Sequence, residues 1–188
     1  DMDSGPGTNT PIYGVAAVEG VETGDHPRRE FAPGSLTFAP TPLPFKWQMT
    51  EDEAHDGAVV VGRVDDIWRD GALIRYRGVM DSAGEYGAEA ERLIAGKFLR
   101  GVSILADDIE DQDIELVFPE PDMPAIEDES LEPQTETAML APRKVITHAG
   151  RIRSLTLVAE PAFVEADVQL GESPHVPLIA ERETVMVA

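Results

Sequence analysis

Short runs of β-branched, aromatic and small apolar residues, each ended by Gly, Pro or acidic residues, dominate this chain of 188 residues. Such runs are typical of β-strands, whereas a single segment carries the signals of an amphipathic helix. Because strands and helices do not alternate along the chain, the pattern argues against a parallel α/β sheet. We therefore predict one α+β domain, rich in strands (about six to eight) and with one or few helices. The preferred architecture is a barrel-like, strongly curved antiparallel sheet.

The predicted strands are bounded by clear turn signals. Asp70-Gly71 lies between two of them and favours a hairpin. The sequence predicts strands or extended segments at Ile12–Val21, Phe31–Leu36, Phe45–Met49, Ala58–Val64, Ile74–Val79, Phe98–Leu105, Ile114–Phe118, Lys144–Thr147 and Arg151–Val158. Within the first of these, Gly14 is expected to mark a bulge.

The predicted helix has a signal at each end. Ser82 and Glu85 have the spacing of a capping box, in which each side chain satisfies a free amide of the first turn. The helix is expected to continue to about Ala95, where Gly96 is placed for a left-handed C-terminal cap.

Composition separates a domain from three segments of different character. Residues 1–10 are polar and contain Gly and Pro, so we expect them to be poorly ordered. The domain spans residues 11–170 and is interrupted at about 119–141 by an acidic, Pro-rich excursion. This excursion is predicted to be flexible, because its few apolar residues cannot offset the entropy lost on ordering. Residues 171–188 are expected to form a C-terminal tail.

The charge balance excludes several classes of function. The chain has 36 acidic and 15 basic residues, which gives a formal charge of −21. Direct binding to nucleic acid or to an anionic membrane surface is therefore not expected, since both need clustered cations. The charge favours solubility, self-repulsion or a partner with a basic face. No apolar stretch approaches the roughly 20 residues of a membrane helix, so a soluble, cytoplasmic protein is predicted.

No cofactor or metal site is predicted. The chain contains no Cys, which excludes disulfides, thiolate nucleophiles and Cys-ligated zinc. It also lacks a phosphate-binding loop and a dinucleotide fingerprint. The acidic residues between Asp107 and Asp113 suggest calcium, but they lack the spacing of an EF-hand, and a solvated acidic face is the preferred interpretation.

Ser103 and His55 are the strongest candidates for chemistry. Ser103 lies inside an apolar, β-prone run just after the predicted helix, and His55 lies in an acidic loop before the strand that begins at Ala58. A serine attacks only when a base removes its proton, and His is the usual base near neutral pH. Gly101 is expected to allow a substrate backbone to approach the serine. The alternative is that Ser103 is a packed hydroxyl and His55 an exposed loop residue.

Four segments, in order between Ile12 and Asp167, together resemble one known family. They are the first strand with Phe31-Ala32-Pro33-Gly34-Ser35-Leu36, His55 followed by Val61-Gly62-Arg63-Val64, Gly101-Val102-Ser103-Ile104, and Leu155-Thr156-Leu157-Val158-Ala159-Glu160-Pro161-Ala162-Phe163. The family is the prohead (capsid maturation) serine proteases of tailed bacteriophages, which are distantly similar to the herpesvirus assemblin protease.

The resemblance implies that Ser103 is the nucleophile and His55 the general base. The third catalytic position departs from the family, because the Glu often found before its last motif is Ser154 here. Ser154 could support His55, and His148 is an alternative by analogy with the Ser-His-His herpesvirus enzymes. Asp107 is a third option.

The resemblance also implies oxyanion donors near an Arg-bearing segment, for which Arg151 and Arg153 are the candidates. As a prohead endopeptidase, the chain would cleave the scaffold segment of the major capsid protein, a separate scaffold protein and itself. It would act inside the assembling procapsid in the host cytoplasm, as a homo-oligomer. One alternative is a catalytically weak or inactive scaffolding or capsid-associated protein. Another is a β-barrel binding module with His55 and Ser103 on opposite faces.

Overall fold

The structure, a computed structural model, describes residues 9–24, 27–50, 57–119 and 141–175. Within these ranges the chain forms eleven strands, one α-helix and a short 3-10 helix at Asp111–Asp113. The α-helix is α1 (Glu85–Ala95). The strands are β1 (Pro11–Val18), β2 (Arg28–Phe31), β3 (Leu36–Phe38), β4 (Leu43–Trp47), β5 (Val59–Asp70), β6 (Leu73–Met80), β7 (Gly101–Asp107), β8 (Ile114–Val117), β9 (Lys144–Thr147), β10 (Gly150–Val158) and β11 (Gln169–Leu170).

The strands form two sheets. Eight of them make a large sheet in the order β11-β1-β6-β5-β4-β10-β3, with β7 also paired to β10. The order in the small sheet is β2-β9-β8. The predicted α+β class with one clear helix is confirmed. The predicted number of strands, about six to eight, was too low, because short segments such as β2, β3 and β11 also pair as strands.

The prediction of an antiparallel barrel is wrong. β10 runs parallel to β3 and β4, and β2 runs parallel to β9. Parallel pairing needs a long connection, and more than a hundred residues separate β3 from β10. Among the described strands the large sheet stays open, since β11 and β3 lie at opposite ends of its order.

Local turn chemistry was more reliable than topology. β5 and β6 form the predicted hairpin, with Gly71 at φ 63° in the turn that follows Asp70. β5 extends further than predicted, to Asp70, because its second half pairs with β6 to the end of the hairpin.

Gly14 is needed for a close backbone contact and not for a bulge. The irregularity in β1 falls between Val15 and Ala17. A Cβ at Gly14 would lie 2.0 Å from the carbonyl oxygen of Asp167, so only glycine fits there. The Asp167 carboxylate also accepts a hydrogen bond from the Val15 amide at 2.9 Å. The chain after β10 is thereby fixed against β1.

Both ends of α1 differ from the prediction. Gly84 is the N-cap, and no side chain caps the first turn. The Ser82 hydroxyl donates instead to Glu91 at 2.7 Å, nearly two turns beyond Glu85, which removes it from the predicted capping box. At the other end Gly96 is right-handed, and the left-handed residue is Lys97 at φ 60°.

The C-terminal end of α1 has the hydrogen bonds of a Schellman motif. The Phe98 amide donates to the Leu93 carbonyl and the Lys97 amide to the Ile94 carbonyl, each at 2.9 Å. This motif was expected with Gly96 as its left-handed residue. It lies one residue later, so Lys97, which has a Cβ, occupies the strained left-handed position.

We therefore expect Lys97→Gly to stabilise the protein by about 1 kcal/mol, because the left-handed conformation disfavours any residue with a Cβ. Urea unfolding of the wild type and the variant measures the difference. Lys97→Ala is the matched control: it removes the same charge, keeps the strain, and should leave stability almost unchanged. A Gly variant no more stable than the Ala variant would contradict the assignment.

A buried carboxylate joins three parts of the large sheet. Glu19, at the end of β1, accepts hydrogen bonds from the Gly34 and Leu36 amides, each at 2.9 Å. Arg69 of β5 donates to both of its oxygens, also at 2.9 Å. Burial alone would raise the pKa of Glu19, but the hydrogen bonds from Arg69, Leu36 and Gly34 outweigh it and lower the pKa below its ordinary 4.5.

β10 is buried on both faces. Polar and apolar residues alternate in its sequence, which is typical of a strand with one exposed face, but every residue from Ser154 to Val158 is buried. Both edges of β10 are paired as well, with β7 on one side and with β3 and β4 on the other. Leu155 and Leu157 point into the apolar core, so Ser154, Thr156 and Val158 occupy the opposite face.

Candidate active site

Ser103 lies on β7, on the face of the sheet opposite to the core. Its neighbour Val102 is buried in the core, and Ile104 packs against it, so strand alternation directs the Ser103 side chain the other way. β7 pairs with β10 in antiparallel register from Asp107 to Gly101. In this register Ser103 lies directly opposite Thr156.

A groove of about 920 Å³ opens beside Ser103. Its walls are mixed, with polar and apolar groups in similar share, and Phe98 at the end of α1 remains 72% exposed on them. Arg29 and Glu160 add one charge of each sign. The apolar side chains of the wall are Trp47, Met49, Leu93, Phe98, Leu99, Val158, Ala159, Pro161 and Ala162. A partly exposed hydroxyl on a rigid strand, facing such a groove, is accessible to a bound peptide.

His55 lies outside the described residues, within 51–56. The described residue that precedes this segment is Thr50, and Thr50 lines the groove together with Ser103. His55 follows Thr50 by five residues in the sequence.

Ser154 shares the face of Ser103. It pairs with Leu105, two positions along β7 from Ser103, and it is almost completely buried. Its hydroxyl has no hydrogen-bond partner among the described residues. The structure therefore brings this predicted site residue near the serine, on the diagonal of the ladder.

Thr156 was not among the residues singled out from the sequence. It is closer to Ser103 in register than Ser154 is, and its hydroxyl is buried without a described partner. A threonine inside an apolar alternating run gives no signal of its own, because Thr is common in strands. Only the register of β7 against β10 reveals it.

The structure does not bring His148 to the groove. Its Nε2 contacts the Glu115 carboxylate of β8 at 2.8 Å, on the small sheet, and its amide donates to the Asp113 carbonyl. The ring is half exposed and does not line the groove. His148 therefore serves here as a partner for Glu115 in the turn that leads into β10.

Asp107 and the two arginines lie at the far end of the β7–β10 ladder. Asp107 is four residues from Ser103, roughly 13 Å along an extended strand. Hydrogen bonding to Arg151, at 3.0 Å, lowers the pKa of Asp107. Arg151 also contacts Asp108, and Arg153 reaches toward Asp107 at 3.9 Å. These side chains pair with one another and are not gathered around the Ser103 hydroxyl.

The acidic stretch after β7 has local structural roles. Glu110 and Asp113 cap the 3-10 helix reciprocally. Within the described ranges, no group of three or more His, Asp or Glu side chains is arranged to hold a metal ion.

Gly101 packs against protein and not toward a substrate. A Cβ there would lie 2.5 Å from the ring of Pro161, which follows β10. The expectation that Gly101 admits a substrate backbone is wrong for this reason. Instead, Gly101, two residues before the serine, packs directly against Pro161 of the last motif.

Comparisons of the chain with protein-family models, with curated proteins and with solved structures returned no significant match. In the part of the chain that the structure describes, no helix combines the length and hydrophobicity needed to cross a membrane.

Proposed function

We propose that this chain is a serine endopeptidase of the prohead-protease type, with Ser103 as nucleophile and His55 as general base. The observation that carries the proposal is the position of Ser103 on a paired strand at the wall of an open groove that also presents several apolar side chains. Thr50, which leads into the segment carrying His55, lines the same groove. The fourfold resemblance of the sequence motifs supplies the reaction class.

The free edge of β7 supports a peptide substrate in particular. The Val102 amide donates to the Ala166 carbonyl, on the side away from β10. Because backbone groups alternate along a strand, those of Ile104 and Ala106 face the same side. No described strand pairs with that edge beyond Gly101, which bridges to Asp167. An extended peptide can therefore add to β7 as a further strand and present its carbonyl groups beside Ser103.

The reaction follows from these groups. The Ser103 Oγ attacks the scissile carbonyl carbon while His55 takes its proton, and the C–N bond breaks as His55 passes that proton to the leaving amine. Water, with His55 again as base, then hydrolyses the acyl-enzyme and restores the serine. Ser154 is proposed as the third residue, which orients His55 by hydrogen bonding. From the resemblance we further propose that the substrates are the major capsid protein, a scaffold protein and the chain itself. Cleavage would take place inside the assembling procapsid.

Covalent labelling by a biotinylated fluorophosphonate tests the proposal. We expect phosphorus to bond to the Ser103 Oγ as fluoride leaves, and peptide mapping should find the label at Ser103. Ser173→Ala is the control, because Ser173 is partly exposed and does not line the groove, and it should not change labelling. Absence of label on the folded protein, or a label that persists in Ser103→Ala, would contradict the proposal.

One observation favours a second candidate, a capsid-associated structural protein without activity. The family position for a carboxylate holds Ser154, which gives a histidine less electrostatic support than a carboxylate does. The charge of −21 suits binding to a basic inner capsid surface. A folded wild type that resists the fluorophosphonate would favour this candidate.

A further inference from the structure

Three buried side-chain hydroxyls have no hydrogen-bond partner among the described residues: those of Ser35, Ser154 and Thr156. Native proteins leave few such groups, because a buried, unpaired hydroxyl destabilises the folded state. Two of the three lie on the face of the sheet that carries Ser103. Groups that oppose stability are concentrated at functional sites, so this clustering calls for a functional account.

Thr156 is the better placed of the two. It lies directly opposite Ser103, and side chains in directly opposite positions on one face have Cβ atoms about 5 Å apart. Rotation of two hydroxyl groups can bridge that separation with one hydrogen bond. Ser154 lies opposite Leu105, on the longer diagonal.

We propose that Thr156 is a positioning residue for the nucleophile. Its hydroxyl donates a hydrogen bond to the Ser103 Oγ as the serine proton passes to His55, and it holds that oxygen toward the groove. The bond strengthens as negative charge develops on Oγ, because hydrogen bonds to charged acceptors are the stronger ones. The Thr156 side chain is fully buried in the strand, so rotation of its hydroxyl is the only rearrangement that this bond requires. This inference rests on the proposed function.

The proposal predicts that stability and reactivity change in opposite directions in Thr156→Val, which keeps the shape and removes the hydroxyl. Its melting temperature should equal or exceed that of the wild type. Its maximal rate of fluorophosphonate labelling should fall about tenfold, while the probe concentration at half-maximal rate stays unchanged. Thr156→Ser keeps the hydroxyl and should label at nearly the wild-type rate.

Ser35→Ala provides the matched control, because it removes the third unpaired hydroxyl, which does not line the groove. It should leave the labelling rate unchanged. A Thr156→Val protein that labels at the wild-type rate would overturn the proposal while leaving the proposed function intact. A lower melting temperature would also overturn it, since it would show that the hydroxyl already has a stabilising partner. A folded wild type that takes no label would overturn both.

Discussion

Ser103→Ala and His55→Ala should each lose nearly all hydrolysis of p-nitrophenyl acetate, and the double variant should lose no more than either. A serine and its base act as one unit, so removing the second member after the first has little left to affect. For such units single replacements lower turnover by about 10⁴-fold or more, and the losses do not add. The rate of nitrophenolate release measures the hydrolysis. The wild type should show a rapid initial burst of nitrophenolate as the acyl-enzyme accumulates.

Ser173 and His175 form a matched control pair. They are also a serine and a histidine, the first partly exposed and the second exposed, and the Ser173 hydroxyl donates to the His175 carbonyl at 2.9 Å. Replacing both with Ala should leave the rate unchanged. If the fold-loss of activity in the Ser103 and His55 double variant equalled the product of the two single losses, a shared mechanism would be contradicted. Circular dichroism checks the fold of each variant, and the Ser103→Ala spectrum should match that of the wild type because Ser103 faces away from the core.

Glu19→Ala is expected to have the largest effect on stability, a loss of about 3 kcal/mol or more. The Glu19 side chain is 2% exposed, so the replacement leaves two buried backbone amides without their acceptor and removes two of the three hydrogen bonds that Arg69 donates. Glu22→Ala is the control. Glu22 pairs with Arg28 and Lys144 near the surface, where solvent screens such pairs, so its replacement should destabilise the protein much less.

The effect of Glu19→Ala should depend on pH. The folded state lowers the pKa of Glu19 below 4.5, so its stabilising contribution is complete above that pH. The contribution is lost as the pH falls through the lowered pKa, because the protonated side chain no longer pairs with Arg69. Urea unfolding at several pH values should therefore show the widest gap between wild type and variant near neutrality, narrowing in acid. A gap that stays constant down to pH 2 would contradict this role.

The local features of the fold could be predicted because each depends on neighbouring residues. The hairpin at Gly71, the length of α1 and the strands around Ser103 all follow from side-chain pattern and turn chemistry. The left-handed residue was misplaced by one position, from Gly96 to Lys97, because the last turn of a helix is set by packing as well as by its glycine.

The long-range features could not be predicted in this way. Nothing near β10 in the sequence indicates that it runs parallel to β3 and β4, because pairing across such a distance depends on the whole chain. The same limit applies to the site. Ser103 is recognisable from its motif, but Thr156 gains its interest only from the register of β7 against β10. Arg151 and Asp107 were each singled out for chemistry, and the structure pairs them with each other.

The central place of β10 has a consequence for the time at which activity can arise during synthesis. Leu36 pairs with Gly150, which is synthesised more than a hundred residues later. Among the described strands, β7 pairs only with β10, so it has no neighbouring strand until β10 has been synthesised. A nascent chain that ends before Val158 thus carries the nucleophilic serine without the scaffold that fixes its direction. If the chain is the proposed endopeptidase, the ribosome must synthesise nearly the whole domain before the protein can cleave a substrate or itself.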